Sequence, residues 1–147
     1  MENTGPYINV AAFCENVIED KSGTLSLIRL VDRFMVSAQG PATPEKMPPT
    51  PLNWFLVISM KSGQARGSVP VTIQPELPSG LRMEKVTFTP YFEGGNRGCN
   101  IISRMGLTLQ EAGIYWFRIY IGDMLATQVP LEVIYSRTII PGNPQLQ

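Results

Sequence analysis

The sequence contains no histidine, and only two of its 147 residues are cysteines. The absence of histidine excludes serine–histidine and cysteine–histidine catalytic pairs, and it removes the commonest zinc ligand. Two separate cysteines are too few for a structural zinc site, and the sequence has no carboxylate-rich calcium loop. We therefore predict a protein without catalytic residues, metal ligands or other cofactors, and we expect no enzyme activity.

An excess of charge of one sign is also lacking, because 12 Lys and Arg residues balance 12 Asp and Glu residues. Nucleic-acid-binding proteins usually carry a basic excess, so we expect no nucleic-acid partner. The pI near 6.3 leaves little net charge at neutral pH. Weak self-repulsion favours association with a protein partner or with a second copy of the chain.

Long apolar runs are missing as well, and a membrane-spanning helix would need about 20 such residues. The opening residues, MENTGPYINVAAF, lack the basic start and apolar run of a secretory signal. We therefore expect a cytoplasmic protein with no membrane span and with reduced thiols.

Turn residues are abundant, with 13 Gly and 13 Pro. Short alternating segments rich in β-branched and aromatic residues separate them, and no long helical period appears, which indicates an all-β protein. The length suits a single domain over residues 1–147. The spacing predicts about eight antiparallel strands in an immunoglobulin-like β-sandwich, at 7–18, 24–36, 52–60, 69–73, 84–92, 99–109, 114–121 and 125–135.

Several segments carry more specific predictions. The turns at 19–23 and at Gly122–Asp123 join the first two and the last two strands into hairpins. Segment 24–36 is apolar on both faces, as an interior strand would be, whereas Pro70 suggests that 69–73 lies at a sheet edge. The proline-rich stretch 37–51 reads as a long loop within the domain, functional or mobile. The first strand is expected to place five side chains on one face: Ile8, Val10, Ala12, Cys14 and Ile18.

Four groups of residues are candidates for chemistry, and for each the structural explanation is favoured. Cys14 and Cys99 are expected in the core rather than as nucleophiles. The glycine-rich stretch 94–98 is expected to be a hairpin turn rather than a phosphate cradle, because a strand and not a helix follows. The aromatic residues are expected to fill the core rather than form a stacking platform: Trp54, Tyr115, Trp116, Phe117 and Tyr120. Nothing in the spacing of Glu84, Glu93, Glu111 and Asp123 brings these carboxylates together.

Two stretches resemble known families. Residues 111–117, EAGIYWF, resemble the tyrosine corner of immunoglobulin-like sandwiches, with Phe117 where antibody domains have their second cysteine. The segments AFCENVI, KSGTLSLI and DRF, at 12–18, 21–28 and 32–34, resemble the opening of a family of small bacterial proteins of unknown function. That second resemblance implies a β-sandwich fold and a bacterial origin, and it implies no activity.

The function expected from these features is a non-enzymatic module for protein interaction or assembly. Two alternatives stay open at this point. One is a β-sandwich that binds a small molecule or a glycan, and the other is a structural component of a phage or a surface assembly.

Overall fold

The computed structural model describes residues 4–138, which form thirteen β-strands and no helix. Nothing in this range could cross a membrane as a helix. The prediction of an all-β fold is confirmed, and the predicted domain, 1–147, extends beyond the described residues at both ends. The strands are β1 (Tyr7–Glu19), β2 (Leu25–Val31), β3 (Arg33–Gln39), β4 (Thr50–Leu52), β5 (Phe55–Gly63), β6 (Gly67–Ser68), β7 (Val71–Glu76), β8 (Val86–Phe88), β9 (Tyr91–Phe92), β10 (Gly95–Arg104), β11 (Leu107–Leu109), β12 (Gly113–Ile121) and β13 (Met124–Thr138).

Two sheets form the sandwich. The first has the order β10-β5-β1-β2, and the second has the order β3-β13-β12-β7-β8. All neighbouring strands are antiparallel except β3 and β13, which are parallel. The orders β1-β5-β10 and β7-β12-β13 correspond to strands A-B-E and C-F-G of an immunoglobulin-like sandwich. The fold is therefore an immunoglobulin-like β-sandwich, with an additional hairpin between its first strand and the second sheet.

The tyrosine corner that the sequence predicts is present. The Tyr115 hydroxyl donates a hydrogen bond to the carbonyl oxygen of Glu111 at 2.8 Å. The Tyr115 side chain is buried, and loss of solvent raises the pKa of its hydroxyl. This bond fixes the turn before β12.

The core lies between the two sheets and is entirely apolar at its centre. Phe13 of β1 and Phe117 of β12 contact each other edge to face, with ring centroids 4.8 Å apart. Phe117 occupies the position of the second antibody cysteine, but its aromatic partner Phe13 lies on β1, the equivalent of strand A, and not on strand B as the first cysteine does. Around this pair lie fully buried side chains of both sheets: Leu56, Ile58, Met60, Ile73, Ile119 and Leu131.

From Val10 onward, the first strand faces the core with the opposite set of side chains from the one predicted, whereas Ile8 packs against the core as predicted. Ala11 and Phe13 pack in the core, whereas Val10 and Ile18 are exposed. The register of β1 against β5 shifts between Ile8 and Val10, and a one-residue shift exchanges the two faces of a strand.

The number of strands was underestimated because three predicted strands are each divided. Segment 24–36 breaks at Asp32 into β2 and β3, which belong to different sheets, so its predicted role as one interior strand is wrong. Segments 84–92 and 99–109 divide in the same way, and short strands β4 and β6 are added. The predicted edge at 69–73 is also wrong, because β7 lies between β12 and β8 and Pro70 precedes it.

The proline-rich stretch is shorter and better anchored than predicted. Strand β3 extends to Gln39 and β4 begins at Thr50, which leaves residues 40–49 as the connection. Met47 is buried in the core, and the Tyr135 hydroxyl donates a hydrogen bond to the carbonyl oxygen of Pro44 at 2.6 Å. These two contacts hold the loop against the end of the sandwich.

The tyrosine corner gives a first prediction. Tyr115→Phe removes the hydrogen bond to Glu111 and should lower the free energy of unfolding by about 1–2 kcal/mol, measured by urea denaturation. Tyr120→Phe, on the same strand but with a half-buried ring and outside the corner, is the matched control and should change it by less than about 0.5 kcal/mol. Equal effects of the two substitutions would contradict the role assigned to the corner.

The aromatic pair gives a second prediction. Phe117→Ala should lower the free energy of unfolding by about 3–5 kcal/mol, because it leaves a cavity between the sheets. Ile114→Ala on the exposed side of β12 should cost less than about 1 kcal/mol. A similar loss in both variants would mean that the centre of the core lies elsewhere.

Candidate interaction groove

An open groove runs between the start of β1 and the start of β13, on one side of the sandwich. We call it the edge groove, and its volume is about 700 Å³. None of its lining residues is charged. They are Thr4, Gly5, Pro6, Tyr7, Ile8, Asn9, Ala11, Val69, Ile121, Met124, Leu125, Ala126 and Thr127.

Two strand edges border the groove. On the side away from β5, β1 pairs with β2 only from Phe13 onward. On the side away from β12, β13 pairs with β3 only from Glu132 onward. Within residues 4–138, no strand therefore pairs with that edge of β1 at 7–12 or with that edge of β13 at 124–131. Both segments present backbone donors and acceptors that an additional strand could satisfy.

Neither bordering segment contains a charged residue: 7–12 reads YINVAA and 124–131 reads MLATQVPL. Proteins normally protect sheet edges with charged side chains, bulges or short strands. Both bordering segments contain a register shift, and Pro130 lies in the second, but the other outer strands named here carry arginine or are short. Strand β2 carries Arg29, whose backbone has a positive φ of 58°, β3 begins with Arg33, and β8 is only three residues long.

The exposed apolar surface of the groove lies at the start of β13. The pairing of β12 with β13 shifts by one residue at this end, so Leu125 is aligned with Tyr120 and lies on the opposite face of the sheet from Leu131. Leu131 is fully buried, whereas Leu125 is 49% exposed. Met124 is 74% exposed beside it. The shift therefore brings side chains from both faces of β13 to the groove.

The opposite end of the sandwich has a different character. A cavity of about 900 Å³ lies there between the 40–49 connection, the segment after β7 and the segment before β12. Its lining brings together Glu84 and Glu111, which the sequence gave no reason to associate, with Lys46 and Arg82. Glu93 and Asp123 lie outside it, and Glu93 is paired with Arg97 at 3.2 Å. The acids and bases of this cavity are mixed, and no group of three or more metal-ligating side chains occurs among the described residues.

The aromatic residues do not form one platform. Trp54 packs edge to face on Phe34 at 5.0 Å, while Trp116 lies on the outer face of the second sheet opposite Glu76. Tyr115 and Phe117 are buried in the core as predicted. Trp54 and Trp116 are only half-buried, and neither indole lines the edge groove.

The glycine-rich stretch 94–98 forms the connection into β10 and its first residues. Gly94 and Gly95 both have positive φ, at 92° and 64°. A β-carbon at Gly98 would lie 2.6 Å from the carbonyl oxygen of Met60, so only glycine allows the close approach of β10 to β5. A strand follows this stretch, as predicted, but the stretch is not the predicted hairpin turn, because β10 pairs with β5 and β9 pairs with β6. Its glycines serve the backbone geometry.

The sequence profile of a family described as being of unknown function, DUF6941, matches residues 9–134. The chain belongs to this family. No protein with a curated description matches the chain. Among solved structures, it is similar to an immunoglobulin-like protein from Pseudomonas aeruginosa, with 14% sequence identity, a TM-score of 0.44, and coverage of 88% of this chain and 97% of the other. The family match over residues 9–134 agrees with the resemblance of the opening motifs to a family of unknown function.

The two cysteines of this DUF6941 member are free thiols. Cys14 is aligned with Phe55 and Cys99 with Met60, five residues apart on β5, which corresponds to about 17 Å along the strand. A disulfide requires α-carbons within about 7 Å, so the two cannot be joined within one chain. Cys14 is completely buried and Cys99 is half-buried. Burial raises the pKa of both thiols, and a hydrogen bond from the backbone of Asn16 opposes this at Cys14.

Thiol reactivity gives a third prediction. Because the pKa of both thiols is raised, the thiolate fraction at pH 8 is smaller than that of an ordinary cysteine. Ellman's reagent at pH 8 should therefore leave Cys14 unmodified in the folded protein and modify Cys99 more slowly than glutathione. Both should react fully in guanidinium chloride. Rapid modification of Cys14 in the folded protein would contradict its position in the structure.

Proposed function

We propose that this protein is a non-enzymatic interaction module that binds an extended segment of another polypeptide in the edge groove. The segment would add as a strand to the free edge of β13 or β1. The observation that carries the proposal is the coincidence of two uncharged strand edges, without a partner strand among residues 4–138, with an uncharged groove between them. Strand addition gains affinity from main-chain hydrogen bonds and specificity from alternate side chains.

The dimensions of the groove support a peptide ligand. The free edge of β13 at 124–131 offers about 26 Å of strand. Every second side chain of an added strand would point toward Ile8, Ile121 and Met124, so the partner segment should be apolar at alternate positions. The absence of charge in the lining disfavours a charged side chain at those positions, because nothing there would pair with it.

We also propose that the protein is cytoplasmic and that it assembles with a polypeptide partner. A cytoplasmic location is consistent with two thiols that cannot bond to each other. Sedimentation of the purified protein distinguishes a partner segment of a second kind of protein from a segment of another copy. A glycan site built on the two tryptophans has no geometric support, since Trp54 and Trp116 lie on different parts of the sandwich.

The fourth prediction tests strand addition. Random peptides displayed on phage and selected on the purified protein should be apolar at alternate positions. Leu125→Glu places a carboxylate in the groove and should weaken binding of a selected peptide about tenfold or more, measured by fluorescence anisotropy. Leu81→Glu is the matched control, because Leu81 is 67% exposed and lies outside the groove.

Hydrogen exchange locates the added strand. A bound peptide should slow exchange of amide protons along 124–131 or 7–12 and leave β2 unchanged. The proposal fails if no peptide is enriched, if the two glutamate variants bind a selected peptide equally well, or if protection appears at another sheet edge.

A further inference from the structure

The hairpin of β1 and β2 continues beyond the first sheet and lies over its outer face. Its end, at Gly23, Thr24, Leu25 and Leu27, lines a single cavity together with residues of β1, β5 and β10. The volume of this cavity, which we call the hairpin cavity, is about 400 Å³. That volume lies in the range of small-molecule sites in proteins.

The hairpin covers apolar residues that would otherwise face water. The register places Ala12 beside Val57 and Cys14 beside Phe55, on the side of the sheet opposite Phe13 and Leu56. Val57 is nevertheless 1% exposed and Cys14 is 0% exposed. The hairpin therefore shields these two side chains from water, and the floor of the hairpin cavity at Val57 is apolar.

The hairpin is held in one conformation at both of its ends. At the turn, the Asp20 carboxylate accepts hydrogen bonds from the Ser22 hydroxyl and from the amides of Ser22 and Thr24, and these bonds lower its pKa. Nearer the sheet, Arg29 forms an ion pair with Glu15 across the two strands. These contacts connect the two strands of the hairpin at its turn and near the sheet.

Polar groups and one cation gather at the mouth of the cavity. Ser59 of β5 and Asn100 of β10 are direct cross-strand neighbours, and Lys61 is aligned with Gly98. Because Gly98 has no side chain, the Lys61 amino group can lie close over it, 3.8 Å from where a β-carbon would be. Lys61 takes part in none of the ion pairs among residues 4–138, and the cavity lining contains no acidic residue.

We propose that the hairpin cavity binds a small amphipathic anion, an organic acid with an apolar body. The apolar body would contact Val57, Leu25 and Leu27 beneath the hairpin. The anionic group would lie at the mouth, where the Lys61 amino group, the Asn100 amide and the Ser59 hydroxyl are available as donors. This site is separate from the edge groove and does not depend on strand addition.

Octanoate is the test ligand, with 1-octanol as its neutral counterpart. Titration of the isotope-labelled protein, followed by amide resonances in NMR spectra, should give saturable shifts at Leu27, Val57, Ser59 and Asn100. Octanoate should bind about fivefold more tightly than octanol. This factor is what an ion pair with an exposed cation is expected to contribute to the affinity. Added salt should reduce this preference.

Two variants separate the charge from the apolar contact. Lys61→Met should abolish the preference for octanoate over octanol, whereas Lys85→Met, outside the cavity, should retain it. Leu27→Ser should weaken both ligands alike. The proposal is overturned if octanoate gives no saturable shifts, if the shifts fall in the edge groove, or if Lys61→Met leaves the preference unchanged.

Discussion

Phe13 and Phe117 meet between the two sheets with their ring centroids 4.8 Å apart, and the arrangement of the other strands follows from that contact. An edge-to-face pair contributes about 0.5–1.5 kcal/mol beyond the burial of its surface, and it fixes the relative position of the strands that carry it. Phe13 is also the residue at which β1 changes neighbours. It is aligned with Leu56 of β5 on one side and with Val31 of β2 on the other. The residue that anchors the first sheet to the second therefore also marks the start of the added hairpin.

The edge groove is a consequence of that change of neighbours. From Phe13 onward β2 covers the edge of β1, and from Glu132 onward β3 covers the edge of β13. Before those residues both edges lack a described partner, and they lie at the same end of the sandwich. Asp32, where the chain crosses from β2 to β3, thus determines how much of each edge is covered.

The hairpin gives the outer face of the first sheet a second layer. Antiparallel sandwiches usually have polar outer faces, but here Val57 and Cys14 are buried on that side. The hairpin cavity and the edge groove lie on different surfaces and differ in chemistry. The first has a single cation at its mouth and takes small anions under our proposal, and the second has no charge and suits an extended peptide.

The sequence by itself determined the fold class, the positions of most strands and the tyrosine corner. These follow from local patterns: alternation along a strand, glycine and proline at turns, and the spacing of Glu111, Gly113 and Tyr115. It also excluded histidine-dependent chemistry, because it contains no histidine. The core positions of Tyr115 and Phe117 were predictable because they alternate on a strand between clear turns.

Only the tertiary structure decided which strands are neighbours, and both candidate sites depend on that. The uncharged stretches at 7–12 and 124–131 can be read from the sequence, but whether another strand covers them depends on where β2 and β3 begin to pair. The shift between Ile8 and Val10 reverses the faces of β1, and alternation alone cannot reveal a one-residue shift. Lys61, Asn100 and Leu27 are far apart in sequence and meet at one cavity only because the hairpin folds over the sheet. Strand pairing and the covering of a sheet face by the hairpin are contacts between residues that are distant in the sequence, so no local pattern specifies them.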